Sequence, residues 1–355
     1  MRTELFDYPL PPESIAVRPP EARDGGRLLV LDGGRIEHRR ITDFPDLVPE
    51  GALVVVNATR VRRARLFGER RPGGGRVELL FLEPSPDTAR ANGANGSERW
   101  RALGRANRPL VPGTQIDAAT LVIEVLARTP DGVLELAVSG PSSVEAVLEE
   151  HGHVPLPPYL GRSDEPEDAE RYQTVFAERT GSVAAPTAGL HLSHALLERL
   201  ALRDVEIGRL ELRVGIGTFR PVSVADLDDH PMHAEHFEVP EALAQAIERA
   251  RARRAPVVAI GTTVVRALES AALPDAPGHV RAISGETRLL IQPGYRFRVV
   301  DALLTNFHQP RSTLLALVAA FAGYEPTLRA YAEAVQAGYR FLSYGDAMWL
   351  PRRQP

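Results

Sequence analysis

Short apolar runs set the rhythm of the first 150 positions, and helical spacing of apolar residues enters after them. Leu28-Leu-Val-Leu31, a turn at Asp32-Gly-Gly34 and Arg35-Ile-Glu-His38 predict a hairpin over 27–38. Ala52-Leu-Val-Val-Val56 predicts a buried strand that runs straight into Asn57-Ala-Thr-Arg60. Strand-like runs recur at 64–67, 77–82, 100–103, 121–126 and 133–138, separated by turn signals such as Pro72-Gly-Gly-Gly75 and Pro130-Asp-Gly132. Strands this short and this regularly spaced predict a small β-barrel or sandwich. Residues 83–98 are rich in Pro, Asn, Gly and Ser and predict a loop.

Beyond 150, helices and strands alternate. Leu196, Leu197 and Leu200 mark one face of a helix that Ser193 caps. Residues 206–214 alternate as a strand does. Leu243, Ile247 and Ala250 mark a helix ending in Arg251, Arg253 and Arg254, which suits its C-terminal dipole. Val257-Val-Ala-Ile260 predicts a buried strand, after which Gly261-Thr-Thr263 opens a helix. A strand over 299–304 leads into Asn306 and His308, and Ser312 caps a helix over 314–322 with Gly323 just past its end. The pattern predicts a mixed α/β (α+β) fold. A large α/β domain, discontinuous over 1–60 and 151–355, is interrupted by an inserted small β-barrel domain over 61–150.

Composition narrows the chemistry. The chain has 355 residues, 44% hydrophobic and 25% charged, enough for a sizeable core in a soluble globular protein. No apolar run approaches the roughly 18 residues a membrane helix needs, and the N-terminus lacks a signal pattern. The expectation is a cytoplasmic protein with no membrane partner, working as a monomer. There is no cysteine, which removes disulfides, thiol nucleophiles and Cys-ligated metals. There is no lysine either: all 42 basic residues are arginine, which removes Schiff-base catalysis and the Walker A lysine. With a net charge of −4, contact with nucleic acid has to come from a local patch. Arg60, Arg62, Arg63, Arg65, Arg70 and Arg71 form the densest one, although a solvated strand-and-turn surface explains the same cluster.

Three polar blocks, far apart in the chain, carry the candidate chemistry. They are Ser182-Val-Ala-Ala-Pro-Thr-Ala-Gly-Leu-His191, Thr305-Asn-Phe-His-Gln-Pro-Arg-Ser-Thr313 and Tyr339-Arg-Phe-Leu-Ser-Tyr-Gly-Asp346. Such runs make poor core and good ligand-binding turns. His191 and His308 are each a candidate general base near neutral pH. Asp346 sits on a turn and can orient a histidine, bind a ribose hydroxyl or cap the turn itself. Strand, Gly261-Thr-Thr263, then helix presents free backbone N–H groups to an anion, without the G-x-G-x-x-G pattern. Arg213-Val-Gly-Ile-Gly-Thr218 is a dinucleotide-like fragment that lacks the third glycine. His230, His233 and His236 fit no zinc pattern, and a polar loop before the next helix explains them better.

The blocks, taken in order, resemble the S-adenosylmethionine:tRNA ribosyltransferase-isomerase family of queuosine biosynthesis, nearly end to end. Phe6-Asp-Tyr-Pro-Leu-Pro11, Thr59-Arg60-Val61, Gly152-His-Val-Pro-Leu-Pro-Pro-Tyr159 and Tyr172-Gln-Thr-Val175 carry the likeness, with Gly181 to His191. Met232-His233 with Glu235, Gly261-Thr-Thr263 with Arg266, Thr305-Asn-Phe-His308 and Tyr344-Gly-Asp-Ala-Met348 continue it. The resemblance implies transfer of the ribosyl part of S-adenosylmethionine, a co-substrate, onto 7-aminomethyl-7-deazaguanine at the tRNA wobble position. Epoxyqueuosine is the product, and adenine and methionine leave. A base has to remove a proton that the sulfonium acidifies, so no metal is expected. The implied roles are His191 and His308 as base or acid, and Asp346 as a partner or ribose contact. Thr187, Thr262, Thr263 and Asn306 would hold the methionine carboxylate or the ribose. Arg60, with Arg62 and Arg63 beside it, would meet phosphates of the anticodon region. The family usually has Asp, Phe and Leu where this chain has Ala58, Leu192 and Gln309. Two further readings stay open on the sequence: a paralogue of altered specificity, and a non-catalytic RNA-binding protein of the same fold.

Overall fold

A computed structural model describes residues 1–85, 97–215 and 222–351. Most of the predicted loop at 83–98, and residues 216–218 of the dinucleotide-like fragment, lie outside the described residues.

The strands, in chain order, are β1 (Arg27–Asp32), β2 (Arg35–Arg40), β3 (Leu53–Asn57), β4 (Thr59–Val61), β5 (Arg65–Arg71), β6 (Arg76–Pro84), β7 (Glu98–Ala106), β8 (Gln115–Ala118), β9 (Leu121–Arg128), β10 (Leu134–Ser139), β11 (Arg179–Ser182), β12 (Glu206–Leu212), β13 (Glu235–Val239), β14 (Val257–Ile260), β15 (Ile283–Thr287), β16 (Ala302–Asn306) and β17 (Ala347–Leu350). The helices are α1 (Phe44–Leu47), α2 (Val144–His151), α3 (Asp168–Arg171), α4 (His194–Ala201), α5 (Glu241–Ala252), α6 (Thr262–Ala271), α7 (Thr313–Ala322) and α8 (Tyr324–Gln336).

Nine strands form the large sheet, in the order β15-β13-β12-β3-β14-β16-β17-β1-β2. Its centre is parallel: β3 pairs with β12 on one side and β14 on the other, and β14 pairs with β16. β3 is buried at every position, which is why it reads as an unbroken apolar run. Its side chains still alternate between two cores. Leu53 and Val55 pack with Leu243 of α5, Val264 of α6, Leu315 of α7 and Tyr331 of α8. Val54 and Val56 face Phe44 of α1 and Leu196 and Leu200 of α4. The sheet therefore lies between two helical layers. The caps work as the sequence predicts: Ser193 Oγ accepts from the amide of Leu196 at 3.2 Å, and Ser312 Oγ from that of Leu315 at 3.2 Å.

β5 to β10 close into a six-stranded barrel in the order β10-β7-β6-β5-β8-β9. Val77, Leu79 and Phe81 of β6 alternate inward, and Val144, Val147 and Leu148 of α2 pack against the same interior. Gly68 is required where β5 crosses β8, since a Cβ there would lie 2.4 Å from the Asp117 carbonyl oxygen.

Among the elements that differ from the sequence reading are β8 and β13. β8 stands between two predicted strands and carries only Ile116 and Ala118 as buried residues, too weak an alternation to read. The predicted polar loop around His236 is strand β13, paired with β12 and β15 and buried at alternate positions.

Candidate active site

The parallel strands β12, β3, β14 and β16 end side by side, and the segments leaving them carry the polar blocks. Asn57, the last residue of β3, joins these ends. Its Oδ1 accepts from the amides of Leu212 and Thr59, and its Nδ2 donates to the Leu212 carbonyl at 2.9 Å and to Thr263 Oγ1 at 3.4 Å. β4 then pairs with β11 and draws in the 182–191 block. The hydroxyls of Thr59 and Ser182 meet at 2.8 Å, and Ser182 Oγ accepts from the Val214 amide at 2.9 Å. Gly189 lets this block close against 172–176, because a Cβ would sit 2.7 Å from Phe176 Cζ.

A cavity of about 390 Å³ opens at these strand ends, the place where open α/β sheets bind ligands. Thr187 lines it from the first block, and Thr305, Asn306 and His308 from the second. Ser343 lines it from the third block, and Thr262 and Thr263 from the start of α6. Half-buried Tyr159 and buried Tyr172 close one wall, and the Tyr159 hydroxyl meets Ser343 Oγ.

His191 and Asp346 stand outside the cavity wall. His191 is buried behind Asn306, whose Nδ2 donates to His191 Nε2 at 3.2 Å and to the Leu342 carbonyl at 3.0 Å. Burial, then the nearby Arg23 charge, lower the His191 imidazole to about 4. Both Asp346 oxygens hold backbone amides: Oδ1 that of Arg27 and Oδ2 that of Arg340, each at 2.7 Å. Asp346 thus ties β1 to the turn before β17, and among the described residues it makes no hydrogen bond or ion pair with a histidine. His308 does reach the cavity. Its Nε2 lies 2.9 Å from Thr305 Oγ1, its amide donates to the Tyr331 hydroxyl, and burial lowers its imidazole to about 3.

The arginines divide. Arg60 is exposed on β4. Arg62 is buried: its Nε and Nη2 pair with Glu145, its Nη1 donates to the Leu82 carbonyl, and it lies over the Trp100 ring. It joins the barrel to α2 and presents no outward charge. Arg63 is half-buried and donates to the Glu149 carbonyl at 3.2 Å.

His230 and His233 line the cavity, while His236 faces Ser284 Oγ from β13 at 3.1 Å. Among the described residues, no group of three or more His, Asp or Glu side chains is placed to hold a metal ion.

The model of a family described as queuosine biosynthesis protein matches residues 3–350. The chain belongs to that family. It is 60% identical to the S-adenosylmethionine:tRNA ribosyltransferase-isomerase of Sorangium cellulosum, over 98% of each chain. It is 50% identical to the Anaeromyxobacter protein of the same name, over 99% of each. The crystal structure of S-adenosylmethionine tRNA ribosyltransferase from Thermotoga maritima matches with a TM-score of 0.54 at 33% identity, covering 98% of this chain and 99% of that one.

Of the three departures from the family pattern, only Gln309 lines the cavity. Leu192 is fully buried in the core beneath α4, and Ala58 is a buried methyl whose amide and carbonyl bond to Leu210 and Glu178. Sequence reasoning gave no role to Arg266 and Glu235, a buried ion pair in the cavity wall. The available signal was the spacing of four between Thr262 and Arg266, which puts both on one face of α6.

Proposed function

We propose that the chain is a ribosyltransferase-isomerase that uses S-adenosylmethionine as ribosyl donor and a tRNA bearing 7-aminomethyl-7-deazaguanine as acceptor. Epoxyqueuosine in tRNA is the product, with adenine and methionine released. The observation that carries this reading is the cavity itself. Its volume of about 390 Å³ falls in the range of roughly 300–1,000 Å³ usual for small-molecule sites. Family blocks that are remote in sequence build its walls.

His308 is the general base in this reading, because its ring reaches the cavity and stays neutral at physiological pH. Thr305 Oγ1 lies 3.3 Å from the Asn306 carbonyl and donates to it. The same oxygen then accepts from His308 Nε2–H, which leaves Nδ1 with the lone pair. The proton it removes lies next to the sulfonium, whose charge stabilises the developing carbanion. Thr187, Thr262, Thr263 and Asn306 hold the polar groups of the donor. His191 acts through Asn306 as a positioning residue. Asp346 holds the turn that carries Ser343 and Leu342 in place.

Arg60 and Arg63 remain candidates for phosphate contact, and Arg62 drops out of that set. We assign the site to the discontinuous part of the chain, 1–60 with 151–355, and the arginine-bearing barrel insertion of 61–150 to the acceptor. In this reading the chain acts as a monomer in the cytoplasm. No described helix is long and apolar enough to cross a membrane.

The test incubates S-adenosylmethionine with tRNA carrying the aminomethyl-deazaguanine and measures free adenine. Equimolar adenine and modified tRNA are expected. Salt-dependent tRNA binding without adenine release overturns the reading and marks a non-catalytic RNA-binding protein.

A further inference from the structure

The cavity wall carries a buried charged group, Arg266, whose hydrogen bonds among the described residues are incomplete. Arg266 lies one turn into α6 and is only 6% exposed. Its Nε donates to the Leu289 carbonyl at 3.0 Å, and its Nη1 pairs with Glu235. Its Nη2 is buried and has no partner among the described residues. Glu235 is itself fixed, since its Oε1 accepts from the Gly215 amide at 3.1 Å. The guanidinium therefore cannot swing to satisfy Nη2 elsewhere without breaking the pair. An unmet guanidinium N–H in a buried site is costly unless a ligand completes it.

The same wall carries a second feature that favours an anion. α6 starts at Gly261 with φ +93° and no side-chain cap, so its first-turn amides are uncapped among the described residues. Thr262 and Arg266 are four residues apart on one helical face and both line the cavity. The helix start and the guanidinium act on the same volume. A planar anion with two oxygens suits a guanidinium edge better than a spherical one.

We infer that Arg266 binds the α-carboxylate of the donor's methionyl group through Nη2, with Glu235 as the positioning residue that locks the guanidinium. This rests on the proposed use of S-adenosylmethionine and assigns the end of the cavity that reads it. The adenosine half then extends from α6 toward Asn306 and His308.

The test compares S-adenosylmethionine with its decarboxylated form as donors for adenine release. In parallel, calorimetry measures binding of S-adenosylhomocysteine and its decarboxylated analogue with tRNA present. The wild-type chain should prefer the carboxylated molecule by about 10- to 100-fold in both assays, the range of a charge-assisted hydrogen bond. Arg266→Lys keeps a cation beside Glu235 but loses the forked donor. The double variant E235Q/R266Q removes both charges and leaves no buried ion unpaired. In each variant the preference should fall to within about threefold, with the decarboxylated molecules handled as before. Equal losses for both forms, or a preference that survives in both variants, overturns the assignment. A wild-type chain that releases no adenine yet binds the carboxylated analogue more tightly, with that preference lost in the variants, supports Arg266 and removes the ribosyl-transfer reading.

Discussion

The side-chain amide of Asn306 donates to His191 Nε2 across 3.2 Å, joining two polar blocks that stand 115 positions apart. The bond fixes the tautomer, since Nε2 accepts and the ring proton must lie on Nδ1. It also fixes Asn306, whose Oδ1 is buried in the cavity wall without a partner among the described residues. Asn306→Ala would leave His191 Nε2 unpaired and the Leu342 carbonyl with the Gly345 amide as its remaining donor. Unfolding in urea should show a loss of about 1–3 kcal/mol, and adenine release should fall as well. Unchanged stability and rate would separate His191 from the site.

His308 is the group placed to take the proton. His308→Ala should cut single-turnover adenine release by about 10²–10⁴-fold. Affinity for S-adenosylhomocysteine should change little, because the loss falls on the chemical step. A near-normal rate in a folded variant removes His308 from the mechanism.

Two buried neutral imidazoles make stability depend on pH with a definite sign. The folded values, about 4 for His191 and about 3 for His308, lie below the usual 6.5. Between those limits the unfolded chain binds protons that the folded chain refuses. Their contribution is therefore complete above about pH 6.5 and is lost as the pH falls toward 4 and 3. For His191 alone this is on the order of 3 kcal/mol. Denaturant midpoints measured from pH 7 to pH 4 should fall, and His308→Gln should flatten the fall. Parallel curves for the two proteins would show that His308 does not titrate this way.

Asp346 separates architecture from chemistry. Its carboxylate holds two backbone amides at 2.7 Å, so Asp346→Ala should cost on the order of 3 kcal/mol. At a temperature where the variant is folded, kcat should stay close to wild type. A large drop in kcat with stability intact would return Asp346 to the reaction.

The arginines should respond in opposite ways. Arg60→Ala should weaken tRNA binding and reduce the slope of log affinity against log salt by about 1. Arg62→Ala should leave that slope alone and lower stability, because Glu145 loses its partner. A salt slope that changes with Arg62 and not Arg60 would reverse the assignment.

Elements with strong local signals were legible. The buried strand β3, the inward alternation of β6 and the serine caps of α4 and α7 each follow from a few adjacent side chains. α8 was not read, because Gly323 marks the end of α7 and the next helix starts directly behind it, with Pro326 tolerated in its first turn. β17 is a four-residue apolar run whose strand character comes from its neighbours β16 and β1. At the site, motif residues on turns stood out, and the three blocks do meet. Which side chains face the cavity was not legible. His191 and His308 look alike in sequence, and only the packing of Asn306 puts one behind the wall and the other in it. Arg266 and Glu235 sit inside regular elements, where an ion pair leaves no mark on the local pattern.

The most direct test of the central claim is a crystal structure of the protein with S-adenosylhomocysteine bound. The account predicts density in the cavity at the carboxyl ends of β3, β14 and β16, with Thr187, Thr262, Asn306 and His308 in contact with the ligand. Density on the barrel, or in any place that leaves this cavity empty at a saturating ligand concentration, would contradict it.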